Sequence, residues 1–272
     1  MWHRRGAQIK RCPGCGVLFV VKRPTEHQTA RLYDEGVLLG ETPEFSAEAG
    51  DSVPEWKRRE QFYFLDRMER LGIHNGRLLD VGCFAGTFLK HARQRGFDVT
   101  GVEPFGNAYR YVSEVLRLPV VHGTLPSASF PAAHFSVVSL LDVIEHVPDP
   151  VDELREVLRI LRQGGAVVIS TPNAAGLLQQ VLKIKRQMFR QEWCPIDDVP
   201  WHLWGFTRGS LALCVERAGF MVKEISWLEP SPLSTNEGAG ASSLKSLGLR
   251  VVAGLSKQFR MSDRMALIAT KL

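Results

Sequence analysis

The stretch "LLDVGCFAGTFL", residues 78–89, constrains this chain more than any other. A short apolar run ends in Asp80, and Gly82 and Gly86 then lead into an amphipathic run. That is a buried strand turning sharply into a helix. In doubly wound sheets, ligands bind beyond the carboxyl ends of the strands. Glycines at such a turn let a ligand press on bare backbone, and the first turn of the helix offers unpaired N–H groups. The spacing is D-x-G-x-x-x-G. It lacks the middle glycine of a dinucleotide fingerprint and the Lys-Ser/Thr of a P-loop. The ligand expected here is nucleoside-like, without a bound phosphate chain.

The surrounding residues 77–171 alternate strand and helix. "RLLDV", "DVTGVE", "LPVVHG", "HFSVVSLLD" and "AVVIST" read as strands. "GTFLKHARQRG", "NAYRYVSEVLR" and "DPVDELREVLRILRQGG" read as helices, the last running to its Gly pair. Short apolar strands separated by helices imply right-handed crossovers and a parallel sheet covered on both faces. Before this block, residues 54–71 read as a helix stopped by Gly72. After it, "GLLQQVLKIKRQMFRQEW" reads as an inserted helix and "TRGSLALCVERAG" as a helix capped by Thr207 and Gly219. "FMVKEISWLE" and "RMALIATKL" read as strands, with a turn-rich stretch over 231–243 and a helix over 246–257 between them. The second strand of the block ends in Glu103, twenty-three residues after Asp80. An acid at the neighbouring strand tip can accept both hydroxyls of a ribose.

In this order the motifs resemble the class I S-adenosylmethionine-dependent methyltransferases. "LLDVGCFAGTFL", "VTGVEP", "VVHGTL", "VVSLLDVIEHVPDP", "LREVLRILRQGGAVVISTPN" and "FTRGSLALCVERAGF" carry the resemblance over about residues 55–225. The likeness is nearest the subgroup that methylates small molecules, quinone precursors and sugars. It implies a Rossmann-like α/β fold with a mostly parallel seven-stranded sheet, an N-terminal extension over 1–50, a methyltransferase domain over 51–272, and a lid inserted at about 174–205. The implied cofactor is S-adenosylmethionine. Asp80, Gly82 and Gly86, with Cys83, Phe84 and Ala85 along the same turn, match the element that holds its methionine end. Glu103 matches the ribose acid and Pro104 flanks the adenine. Gly123, Thr124 and Leu125 match the third-strand tip beside the adenine. Leu141, Asp142 and Val143 match the fourth-strand tip near the transferring methyl. The subgroup has Phe-Asp where this chain has Phe135-Ser136, a departure expected to be structural.

The acceptor that the resemblance implies is a small molecule or glycan, with O-, N- and C-methylation all open. His146 and His202 are the candidate general bases, since imidazole titrates near neutrality. A histidine that only fixes the loop is the favoured reading of His146, because methyl transfer from a sulfonium needs mainly alignment. Trp56 and Tyr33 are candidate covers for the cofactor. Trp201, Trp204 and Phe206 read as core or lid. The basic run Lys183, Lys185, Arg186 and Arg190 reads as a solvated helix face.

"RCPGCG" near the N-terminus places Cys12 and Cys15 at zinc-knuckle spacing, but a structural zinc takes four ligands. It resembles the second half of a ribbon whose first half is missing, so no complete metal site is expected. The five cysteines, odd in number and dispersed, suit a reduced, cytoplasmic protein. Neither a secretory signal nor a membrane span is expected. Net charge is +5, too dispersed to mark a nucleic-acid reader. A homodimer is left open. The alternatives are a non-catalytic S-adenosylmethionine-binding protein and, behind it, a nucleic-acid methyltransferase.

Overall fold

The computed structural model describes residues 2–4, 7–22, 53–188, 196, 201–228 and 261–272. Tyr33, Arg190 and Cys194, the turn-rich stretch over 231–243 and the helix expected over 246–257 lie outside them.

The chain opens with β1 (Trp2–Arg4), β2 (Ala7–Arg11) and β3 (Leu18–Val20), then α1 (Glu55–Arg70). The alternating block supplies β4 (Gly76–Val81), α2 (Thr87–Gln94), β5 (Phe97–Glu103), α3 (Gly106–Arg110), β6 (Val120–His122), β7 (Phe135–Leu141), α4 (Pro150–Ile160) and β8 (Leu161–Pro172). Then come α5 (Leu177–Met188), β9 (Trp204–Gly205), α6 (Arg208–Arg217), β10 (Phe220–Trp227) and β11 (Arg264–Lys271).

Seven strands form the main sheet in the order β10-β11-β8-β7-β4-β5-β6. The run from β6 to β8 is parallel throughout, and β11 and β10 close the edge antiparallel. This is the mostly parallel Rossmann-like sheet that the motif order implies. Leu78, Leu79, Val137, Val138 and Ala166–Ile169 are fully buried, as expected of strands with helices on both faces. Strand order reverses between β4 and β7, the chain building outward through β5 and β6 on one side and through β8 on the other, so the crevice lies beyond the tips of those two strands.

Two elements differ from the sequence reading. The helix expected to run to Gly165 ends at Ile160, and Leu161 turns extended (ψ 138) to open β8. Leu161 pairs with Phe135 and is buried, so sheet pairing takes the last apolar position of the helical pattern. Lys271 Nζ donates to the Leu158 and Leu161 carbonyls, at 2.7 and 2.8 Å, satisfying orphan acceptors at that helix end. The helix expected over 107–117 is α only as far as Arg110 and widens into a π turn over Tyr111–Val115. The widened turn brings Val112 and Leu116 against Gly86, where a Cβ would come within 3.0 Å of both.

A second, four-stranded antiparallel sheet has the order β1-β2-β3-β9. Its first three strands lie in the N-terminal extension, where the sequence pattern marks only the knuckle of Cys12 and Cys15. Cys12 and Cys15 sit in its β2–β3 turn, closed by Cys12 N–H to Val17 O at 2.8 Å and Gly16 N–H to Cys12 O at 2.9 Å.

Candidate functional site

The glycine turn after β4 folds as the sequence dictates. Gly82 (φ +66) and Gly86 (φ +68) occupy left-handed backbone. A side chain at Gly82 would put its Cβ 2.7 Å from Val143 Cγ2. Phe84 also takes a positive φ (+46), which costs a bulky residue energy. A hydrogen bond holds it there: Phe84 N–H donates to Glu103 Oε2 at 2.6 Å. Phe105 N–H donates to Oε1 of the same carboxylate at 2.8 Å.

Beside this turn lies a cavity of about 220 Å³. Asp80, Gly82, Cys83, Phe84, Ala85 and Leu141 line it from the sheet side, and Trp56, Lys57 and Gln61 from α1. Six of the expected site residues therefore share one cavity wall. The others stand around it. Glu103 is 1% exposed, beneath Phe84. Gly86 and Val143 back the turn rather than line the cavity. Pro104 and Gly123 are half-buried and Thr124 is exposed at neighbouring strand tips. Leu125 is buried in the main core.

The two acids of this half are paired only with neutral groups. Asp80 accepts from Ser139 Oγ at 2.6 Å, yet burial pushes its carboxyl up to about 7. Burial also pushes Glu103 up to about 7, against the pull of its two backbone N–H donors.

At the β7 tip the chemistry inverts. Asp142 (φ +59) pairs with Lys57 and with Arg264, the latter at 2.6 Å. Glu60 completes the network, accepting from Arg264 at 2.8 Å and Lys57 at 2.9 Å. Burial alone would raise the Asp142 carboxyl, but Arg264 and then Lys57 outweigh it and hold the acid well below its usual range. The indole of Trp56 is within cation–π range of both cations, 5.0 Å from the Arg264 guanidinium and 5.6 Å from Lys57 Nζ.

Sequence reasoning missed Lys57, Glu60, Gln61 and Arg264. One signal was available. Glu60 and Gln61 continue the stripe of Phe64, Leu65 and Met68 on α1, so their polar side chains face inward. Gln61 answers this by donating to Thr87 Oγ1 at 2.9 Å and accepting from His91 Nδ1 at 2.8 Å. Arg264, some two hundred residues away, has no such signal.

After the β7 tip, Glu145 is buried, with Oε2 accepting from Thr171 Oγ1 at 2.9 Å and Oε1 without a partner. Burial, then the Asp142 charge, pushes it up to about 8. His146 Nδ1 lies 3.1 Å from the Trp201 carbonyl oxygen, which can only accept. As a hydrogen bond this contact requires the proton on Nδ1, which in the neutral ring makes Nε2 the acceptor. The rings of His146 and His202 are 4.8 Å apart, so both candidate bases share one place. Glu145, His146 and His202 bring their polar atoms within 4.8 Å of one another, the only such trio of metal-capable side chains among the described residues. Phe206 is core, while Trp204 is half-buried and donates from Nε1 to Val147 O at 2.8 Å.

A protein family described as "Methyltransferase domain" matches residues 54–225. The chain belongs to this methyltransferase family. It is an S-adenosylmethionine-dependent methyltransferase, and the glycine turn, the buried strand-tip acids and the cavity between them fit that cofactor. The ubiquinone biosynthesis O-methyltransferase of Aeromonas salmonicida is 31% identical over 169 residues, which are 60% of this chain and 70% of that protein. The Pseudomonas fluorescens protein of the same name is 34% identical over 112 residues, 39% of this chain and 48% of that one. The chain thus spans about half the length of several of these relatives. Among solved structures, the [4+2]-cyclase SpnF aligns with TM-score 0.60 at 18% identity, over 92% of this chain and 98% of that one. The Haemonchus contortus phosphoethanolamine N-methyltransferase 2, in complex with S-adenosyl-L-methionine, aligns with TM-score 0.53 at 18% identity, over 78% of this chain and 52% of that one. Such structures share the fold. No described helix is long and apolar enough to cross a membrane.

Proposed function

We propose that this methyltransferase acts on a hydroxyl oxygen of a small molecule, and that the hydroxyl is acidic, of the phenol or enol type. The observation that carries this reading is the group Glu145, His146 and His202 at the carboxyl edge of the sheet, just past Leu141 and Asp142. An amine acceptor already carries its lone pair, whereas a hydroxyl gains from losing its proton. An imidazole near neutrality suits a phenol better than an alkyl alcohol. The O-methyltransferase names of the relatives agree with this choice.

Bound S-adenosylmethionine supplies an electrophilic methyl group on a sulfonium. In this reading Asp80 and the backbone of Gly82, Cys83, Phe84, Ala85 and Gly86 hold its amino-acid end. Glu103 takes the ribose hydroxyls, while Pro104 and the Gly123–Leu125 tip flank the adenine. Leu141, Asp142 and Val143 border the reacting end, and Trp56 covers it. His146 Nε2 accepts the acceptor's proton, and His202 shares the resulting charge. Burial, which pushes the Glu145 carboxyl up to about 8, favours its neutral form beside the pair. The main contribution of the chain is alignment of the two reactants. Residues 51–272 are the catalytic unit, 1–50 its extension and 174–205 its lid.

Turnover of methyl-labelled cofactor with a catechol-type phenol, a simple sugar and a primary amine tests this. The phenol is expected to be methylated and to lose about 10²–10⁴-fold in rate in His146→Asn, the usual contribution of acid–base catalysis. Labelling of the amine alone would defeat the reading, and labelling of the sugar alone would move the acceptor to glycans.

A further inference from the structure

The N-terminal hairpin has no part in the chemistry above, yet it touches the segment that carries His202. β9 is two residues long and has no stability of its own. On one side it hangs from the site loop, with Leu203 N–H to Glu145 O at 2.8 Å and Trp204 N–H to the same oxygen at 3.2 Å. On the other side it pairs with β3, Leu18 opposite Gly205 and Phe19 opposite Trp204. Val20 N–H donates to Leu203 O at 3.0 Å. The contact is too close for a side chain at Gly205, whose Cβ would lie 3.2 Å from Leu18 Cβ and 2.9 Å from Ile196 Cγ1. Ile9, Leu18, Val20 and Ile196 form a small buried cluster of their own, apart from the two cores of the main sheet.

Register then decides the chemistry. Successive side chains of an extended segment point to opposite faces. Here Leu203 is buried, and the His202 ring stands beside His146. A slip of one residue would exchange them.

We infer that β3 is the positioning strand of the catalytic cleft, with Leu18 and its close fit to Gly205 fixing the register that sets His202 against His146. The hairpin serves the acceptor side of the site, and the cofactor side does not need it. The functional meaning rests on the acid–base reading of the two histidines; the geometric claim does not.

Three variants of the full chain test it. Leu18→Ala empties the contact, Gly205→Ala overfills it with the cluster intact, and Leu18→Ile restores the volume. Two quantities are read: the through-space proton contact between the His146 and His202 rings by NMR of histidine-labelled protein, and S-adenosylmethionine affinity by calorimetry. Leu18→Ala and Gly205→Ala are expected to lose the ring contact while cofactor affinity stays within about twofold, as for uncoupled sites. Leu18→Ile keeps both. Persistence of the contact in Leu18→Ala and Gly205→Ala would show that the segment holds its own register and overturn the inference. So would an affinity loss that accompanies the contact loss, because the hairpin would then support the whole fold. Should His146→Asn leave phenol turnover intact, the acid–base reading fails while this test still stands.

Discussion

Two walls of opposite electrical character flank the cavity, reaching its lining through Asp80 on one side and Lys57 on the other. At the tips of β4 and β5, Asp80 and Glu103 are buried against a hydroxyl and backbone N–H groups, and both are pushed up to about 7. At the tip of β7, Asp142 faces Arg264 and Lys57 and stays ionised. The first wall is electrically unfinished: its acids gain when a ligand brings donors or positive charge. The second is closed, two cations against Asp142 and Glu60, so its charges are settled before any ligand arrives. This contrast is why the proposed reading puts a ligand carrying hydroxyl groups and a cationic centre at the first wall. The second wall braces α1 against the sheet, and its ion pairs hold Asp142 in one charge state beside the proposed methyl end of the ligand.

The largest expected effect breaks the closed wall. Arg264→Ala leaves Glu60 buried and Asp142 with only Lys57. Removing one partner of a buried pair typically costs about 3–5 kcal/mol, because the remaining charge is uncompensated. Chemical denaturation of the variant should show a loss of that order. A loss under about 1 kcal/mol would mean the pair contributes no more than a surface ion pair.

Breaking the open wall should be milder and should appear in binding first. Glu103→Ala removes the acceptor proposed for the ribose, at an expected cost of about 1–3 kcal/mol in S-adenosylmethionine affinity if those bonds are charge-assisted. Calorimetry reads it directly, and unchanged affinity would remove Glu103 from the cofactor site. In Arg264→Ala protein that remains folded, the affinity loss should be smaller than this. The reverse ranking would erase the distinction between the walls.

The open wall was legible in the sequence and the closed one was not, for a physical reason. Asp80, Gly82, Gly86 and Glu103 lie on adjacent strand tips within one βαβ unit, so their spacing along the chain fixes their spacing in space. The closed wall joins residues 57, 60, 142 and 264, whose meeting depends on the docking of α1 and the insertion of β11 between β8 and β10. No local pattern encodes that. The same limit hid the β3–β9 pairing and let the helical pattern of α4 run past Ile160, where sheet pairing took over. The π turn at Tyr111 escaped because the contact that accompanies it, Val112 and Leu116 against Gly86, is tertiary.

The smallest expected effect sharpens the comparison through pH. In the free protein the Glu103 carboxyl, raised from 4.5 to about 7, holds its proton where an unfolded chain has already lost it. The native state binds more protons over that interval, so the stability of the free protein should fall as pH rises from about 4.5 to about 7. Cofactor binding runs the other way. A protonated carboxyl must release its proton before it can accept two ribose hydroxyls as an anion. Affinity should therefore rise with pH below about 7 by up to about 1.4 kcal/mol per unit, and level off above it. Asp80 is raised to the same range and adds to the slope if it meets the cationic end of the ligand. Glu103→Gln cannot ionise, so it should flatten both curves in part, leaving the share that belongs to Asp80. Asp142→Asn should leave the shape of the binding curve alone, because that acid stays ionised throughout this range. Calorimetric titrations at pH 6, 7 and 8 separate the two walls: a binding slope that survives Glu103→Gln unchanged would assign it to Asp80, and one that vanishes in Asp142→Asn would show that the closed wall takes part in the proton exchange after all.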